Sequence, residues 1–83
     1  GGIKEQTRQS LANLQAVLEE GDAGIDSVVK TTCFLSDIAN FAAFNEVYAE
    51  VFGTEVAPAR SCVEAGALPM GALVEIEAVA FVK

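Results

Sequence analysis

The sequence predicts an α+β domain in which two amphipathic helices cover one face of a β-sheet, in the order helix, strand, helix, strand, strand. Two segments carry apolar residues at three-and-four spacing, which is typical of helices. Other segments are rich in β-branched residues or alternate with a period of two, which is typical of strands. The chain has 83 residues, 52% of them hydrophobic, and residues 1–83 suit one small domain with a packed core.

The first helix is predicted to begin at Ile3 and to end near residues 21–24, where two glycines flank a short polar stretch. One of its faces is formed by residues at helical spacing, and charged or amide side chains occupy the other sides. The residues on the spaced face are Thr7, Leu11, Leu14 and Leu18.

Residues 25–35 are predicted to form a central strand, because they are rich in β-branched and aromatic residues and Lys30 is their main polar interruption. Asn40 is the expected N-cap of a second helix, and Gly53 marks its end. The apolar stripe of this helix is predicted to face the core and consists of Phe41, Phe44, Val47, Tyr48, Val51 and Phe52.

Two strands are predicted to follow, at residues 58–65 and 73–82. On the first, alternation places Arg60, Cys62 and Glu64 on one side. The second has a clean apolar face, which belongs under the helices: Val74, Ile76, Ala78, Ala80 and Val82. Its mixed face is expected to serve chemistry or another subunit: Leu73, Glu75, Glu77, Val79 and Phe81. The intervening loop either joins the two strands directly or carries the chain to another position in the sheet.

A sheet of only three strands has exposed edges and a small domain buries little surface, so we expect other residues or another chain to complete it. The formal charge of −7, with five basic residues, disfavours nucleic-acid binding. No segment predicts a membrane span or a signal peptide, and the expected location is the cytoplasm. Cys33 and Cys62 have no metal-ligand spacing and no histidine nearby, so we expect reduced thiols and no metal.

Arg60 is one of two arginines and lies between acidic residues. These residues could build a carboxylate-binding site with an acid beside it. Taken alone, Arg60 could equally be a structural arginine paired with Glu64 or Glu77, and Glu75 a solvated strand residue. If Arg60 and Glu75 shared a cleft, burial and the positive charge would act in opposite directions on the carboxyl group.

Four segments in this order resemble the reactive intermediate deaminase A family, RidA, also called the YjgF/UK114 family: VVKTTCFLSD at 28–37, FAAFNEVY at 41–48, PARSCVE at 58–64 and VEIEA at 74–78. The resemblance implies a chorismate-mutase-like α+β fold and a homotrimer with a site in each cleft between subunits. About the first third of a usual member has no counterpart, so the single domain of residues 1–83 is expected to be incomplete at its N-terminus.

The resemblance implies hydrolysis of reactive enamines and imines, of the 2-aminoacrylate, 2-iminopropanoate and 2-iminobutanoate type, to 2-oxo acids and ammonium, without a cofactor. Arg60 matches the family arginine that holds the substrate carboxylate, and Glu75 the acid that positions water and assists proton transfer. Cys62 matches a residue whose backbone lines the pocket, and Asn45 a position at the pocket rim. The alternative is a non-enzymatic member that binds small carboxylates or proteins. Ribonuclease activity ranks third, because these residues include no histidine and no basic patch.

Overall fold

A computed structural model describes residues 2–53 and 58–82, and within them two helices pack on one face of a three-stranded sheet. In chain order the elements are α1 (Ile3–Glu20), β1 (Val28–Leu35), α2 (Phe41–Phe52), β2 (Ala59–Glu64) and β3 (Val74–Ala80), with 3₁₀ turns at Ile25–Ser27, Ile38–Asn40 and Pro69–Gly71. The predicted class and element order are confirmed. No helix in the described ranges is long and apolar enough to cross a membrane.

The strand order is β2-β1-β3, so the last two strands lie on opposite sides of the first. β1 pairs with β2 in parallel and with β3 antiparallel. Residues 65–73 therefore do not join β2 and β3 as neighbouring strands. They carry the chain across β1 to the other edge of the sheet, which is one of the two routes that the sequence left open. Both edge strands have a side that pairs with no strand of the described residues.

The central strand starts later than predicted. Residues Ile25–Ser27 form a 3₁₀ turn, in which the Ser27 hydroxyl accepts from the Gly24 amide at 3.0 Å and donates to the Gly24 carbonyl at 2.9 Å. This local bonding competes with strand pairing, so the strand begins at Val28 and not at the predicted Ile25. A bulge at Val29 and Lys30 then leaves both side chains exposed, since two residues face Val79 across the ladder.

The core lies between the helices and the sheet. Its fully buried members include Leu11 of α1, Phe44 of α2 and Leu35 of β1. The predicted clean face of β3 packs on this core through Val74, Ile76, Ala78 and Ala80. The other face of the sheet exposes large apolar side chains: Val63 is 45% exposed, Val79 60%, and Phe81, just beyond β3, 69%.

The N-terminus of α2 differs from the prediction, and its C-terminus agrees with it. Asn40 occupies the N-cap position, but its side chain makes no capping hydrogen bond. Instead the Asp37 carboxylate accepts from the Ala39 amide at 2.9 Å, because the helix is preceded by a 3₁₀ turn that begins at Ile38. Gly53 ends α2 with φ +75°, a conformation that favours glycine.

Candidate functional site

The site rests on a buried hydrogen bond between β1 and α2. The hydroxyl oxygens of Thr31 and Tyr48 lie 2.7 Å apart, and the two residues are 0% and 3% exposed. Strand alternation directs Thr31 toward the helices, and helical spacing places Tyr48 on the inner stripe of α2. Burial raises the pKa of the Tyr48 phenol above its ordinary value, although its bond to Thr31 acts in the opposite sense. The phenol therefore stays neutral, and its ring has a fixed position.

Arg60 lies over this ring. It is the register partner of Thr31 in the parallel β1–β2 pair, so its side chain points to the helix side of the sheet. The guanidinium carbon is 4.7 Å from the ring centre of Tyr48 and 5.4 Å from that of Phe41. Both distances lie within the range of cation–π contacts. The guanidinium also donates a hydrogen bond to the side-chain oxygen of Asn45.

Arg60 has no carboxylate partner among the residues that the structure describes. The ion pairs there are Lys4–Glu46 and Arg8–Glu50, both on the surface. Glu64, one of the two partners considered for a structural arginine, instead accepts from the Ile38 amide at 2.8 Å. An exposed guanidinium that makes one side-chain hydrogen bond among the described residues can bind a planar carboxylate through two parallel bonds of its remaining N–H groups.

Cys62 and Cys33 are register partners on the same face, next to Arg60, and both are free thiols. Burial raises the pKa of Cys33 to about 11 and also raises that of Cys62. Thiolates are the nucleophilic form, so neither side chain is activated for covalent catalysis. The lining role of Cys62 stays a prediction.

Glu75 lies elsewhere. It faces Phe34 across the β1–β3 ladder, on the sheet face opposite Arg60, and β1 separates the two strands. One chain therefore does not bring Glu75 into a cleft with Arg60. Strand alternation settles this, because Glu75 lies one residue out of phase with the core-facing Val74 and Ile76.

The sequence predicts Phe41 and Tyr48 as core residues alone and carries no separate signal for Thr31. Phe41, Asn45 and Tyr48 are spaced at i, i+4 and i+7, so they share the side of α2 that meets β2. The spacing alone indicates that the three residues share one side of the helix. It indicates a contact with Arg60 only when the pairing of β2 with β1 is known.

A cavity of about 910 Å³ lies away from this site. It is bordered by the C-terminal parts of α1 and α2 and by the start of β2, and its lining includes Glu19, Ile25 and Phe52. None of the four predicted site residues lines it. We place the candidate site at Arg60 because charge, aromatic faces and an amide converge there, whereas the cavity offers volume without such a cluster.

Comparison with known proteins agrees with this assignment of family and fold. The family model described as "Endoribonuclease L-PSP" matches residues 1–82. The chain is 52% identical over 80 residues to the Drosophila melanogaster "RutC family protein UK114", covering 96% of this chain and 57% of that protein. It is 42% identical over 83 residues to "Protein MMF1, mitochondrial" of Saccharomyces cerevisiae, covering 100% of this chain and 57% of that protein.

Among solved structures, the chain is similar to E. coli TdcF with bound serine, with a TM-score of 0.90 and 35% identity, over 96% of this chain and 65% of that one. The chain thus spans less than two thirds of the length of these relatives. On the match of the family model and these identities, the chain belongs to the RidA/YjgF/UK114 family.

Proposed function

We propose that this protein is an enamine and imine deaminase that converts small 2-imino acids of the 2-iminopropanoate and 2-iminobutanoate type to 2-oxo acids and ammonium. The observation that carries the proposal is Arg60, an exposed cation stacked on two aromatic rings, bound to Asn45 and without a carboxylate partner among the described residues. Such a group suits the carboxylate that all these substrates share. The bound serine in the structure of TdcF, a relative, also carries a carboxylate.

The reaction needs water and proton transfers but no redox partner. Water adds to the imine carbon, the resulting carbinolamine expels ammonia as the carbonyl forms, and the ammonia takes up a proton. Arg60 would hold the substrate carboxylate, and Asn45 would fix the guanidinium from the side. Glu75 would orient the water and move its proton, and the backbone at Cys62 would line the pocket.

Because Glu75 lies on the opposite sheet face from Arg60, a site that uses both requires two copies of the chain. The exposed apolar side chains of the outer sheet face, among them Val63 and Val79, support such an association. We therefore propose a homotrimer, in which the Arg60 of one subunit meets the Glu75 of the next across each interface. The partners would be a small imine and two further copies, without nucleic acid, membrane or cofactor.

The second candidate is a protein that binds small carboxylates without turning them over. Glu75 is separated from Arg60 within one chain, so a subunit that does not associate with others would bind a carboxylate at Arg60 without an acid beside it. This favours the second candidate for the unassociated protein. Ribonuclease activity, which the family description names, has less support, because this sequence has no histidine and a charge of −7. A cytoplasmic location stays a prediction, since one relative is named a mitochondrial protein.

The first experiment generates 2-aminoacrylate from serine with a dehydratase and follows its decay against semicarbazide trapping. We expect acceleration by the protein and its loss in Arg60→Ala, because the variant lacks the carboxylate clamp. Arg8→Ala is the matched control, since Arg8 is the other arginine and pairs with Glu50 on the surface. Binding of 2-oxobutanoate without acceleration would establish the second candidate. Full activity in Arg60→Ala would contradict the clamp.

Complementation tests the shared site. Arg60→Ala and Glu75→Gln are purified separately, dissociated, mixed in equal amounts and reassembled. If each site takes Arg60 and Glu75 from different subunits, random mixing restores about a quarter of the sites to the intact pair. Activity that stays at the level of the two inactive parents would refute an intersubunit site, and light scattering on both parents confirms that each still assembles.

A further inference from the structure

Tyr48 has two contacts that a purely apolar core residue would not need. Its hydroxyl is bonded to Thr31 at the base of the site, and its ring face carries the guanidinium of Arg60. Phe41, two helical turns earlier, adds a second ring. The neighbouring Phe44, fully buried on the same stripe, has no described contact with a charged group.

We propose that Phe41 and Tyr48, the latter fixed by Thr31, are positioning residues that hold the guanidinium plane of Arg60 ready to bind a substrate carboxylate. This inference rests on the proposed function, in which Arg60 is the carboxylate clamp. It adds a role for residues that are not themselves in contact with the substrate.

The physical reason is the entropy of the arginine side chain. A free arginine on a surface loses about 2 kcal/mol of rotamer entropy when it is fixed, and a binding site that fixes it in advance avoids that loss on ligand binding. The two rings lie 4.7 and 5.4 Å from the guanidinium carbon and restrict its movement, and they offer no acceptor atom for its N–H donors. Asn45 takes one of these donors, which restricts rotation within the plane.

The ring of Tyr48 must itself be fixed for this to work. Its hydroxyl bond to Thr31 is buried, so rotation away from Arg60 would leave two polar groups without partners in the core. Phe52 packs on the same ring, with centroids 4.6 Å apart. The ring is thus held by a hydrogen bond at its tip and by packing along its body.

The test uses the side-chain NMR signals of arginine. The chain has only Arg8 and Arg60, so Arg8→Lys assigns both Nε–H signals. We expect the Arg60 signal to be displaced from that of Arg8 by the ring currents of Phe41 and Tyr48. Phe41→Leu, which keeps apolar volume but removes a ring, should move it toward the Arg8 position. Phe81→Leu, at a residue 69% exposed just beyond β3, is the matched control and should leave it in place.

The same variants are then titrated with 2-oxobutanoate and assayed for turnover. A cation–π contact of about 0.5–2 kcal/mol corresponds to binding that is about 2- to 30-fold weaker in Phe41→Leu. The Michaelis constant should rise while kcat changes little, because the clamp binds substrate and transition state alike. Tyr48→Leu should weaken the binding of 2-oxobutanoate further. Tyr48→Phe keeps the ring, so most of the affinity that Tyr48→Leu loses should be retained in it.

The outcomes separate the two proposals. If the native protein binds no 2-oxo acid and turns over no imine, the proposed function fails and this inference fails with it. If the native protein binds 2-oxobutanoate and Phe41→Leu and Tyr48→Leu bind it equally well while remaining folded, only the positioning role is refuted. An Arg60 signal that coincides with that of Arg8 in the native protein also refutes it.

Discussion

The hydrogen bond between Thr31 and Tyr48 allows a quantitative test of the structure. Thr31→Val removes the hydroxyl at nearly constant volume and leaves the Tyr48 hydroxyl, in a residue only 3% exposed, without this partner. A buried polar group that loses its partner costs about 1–3 kcal/mol. We therefore expect the free energy of unfolding to fall by about that amount, and Tm by about 4–24 °C for a domain of this size.

Tyr48→Phe removes the other half of the pair and leaves the Thr31 hydroxyl without this partner. A loss of about 0.5–1.5 kcal/mol is expected, the net value of one intramolecular hydrogen bond. The double variant removes both polar groups, so no phenol is left unpaired. Its loss should be smaller than that of the two single variants added together, by about 1–2 kcal/mol.

Urea unfolding followed by circular dichroism measures all four proteins at one fixed concentration, since association would contribute to stability. Equal slopes of the unfolding transitions are needed before the midpoints are compared. A Thr31→Val variant as stable as the native protein would refute burial of the bond. Strict additivity in the double variant would show that the two hydroxyls do not interact.

Two further predictions concern the backbone and the thiols. Gly53→Ala should lower the free energy of unfolding by about 1–3 kcal/mol in the same urea assay, because φ +75° with ψ −172° suits only glycine. Gly66→Ala, at an open and exposed position, is the control and should be nearly neutral. Similar losses in both variants would contradict backbone strain at residue 53. Burial raises the pKa of Cys33 from 9.0 to about 11, so the folded state retains the proton longer than the unfolded state. Stability is therefore full below pH 9 and should fall by about 2–3 kcal/mol as the pH rises to 11. In Cys33→Val the free energy of unfolding should not show this fall between pH 9 and 11. A pH profile identical to that of the native protein would refute the assignment of the fall to Cys33.

Much of the fold could be predicted from the sequence because local patterns carry it. The spacing of Leu11, Leu14 and Leu18 predicted α1, and the alternation from Val74 to Ala80 predicted which face of β3 lies under the helices. The predicted start of β1 was three residues too early, since Ile25–Ser27 adjoins the β-branched run but forms a turn closed by the Ser27 side chain. Resemblance to a family, with residues matched by motif, supplied the candidate site.

The sequence by itself thus determined the elements, their order and the buried faces, all of which follow from periodicity within one segment. Only the tertiary structure decided the strand order, and with it the neighbours of Arg60. Pairing of β2 with β1 placed the guanidinium over Tyr48 and Phe41, and pairing of β3 on the other side of β1 put a whole strand between Glu75 and Arg60. Contacts between segments distant in the chain depend on how the strands pair, and no local spacing encodes that choice.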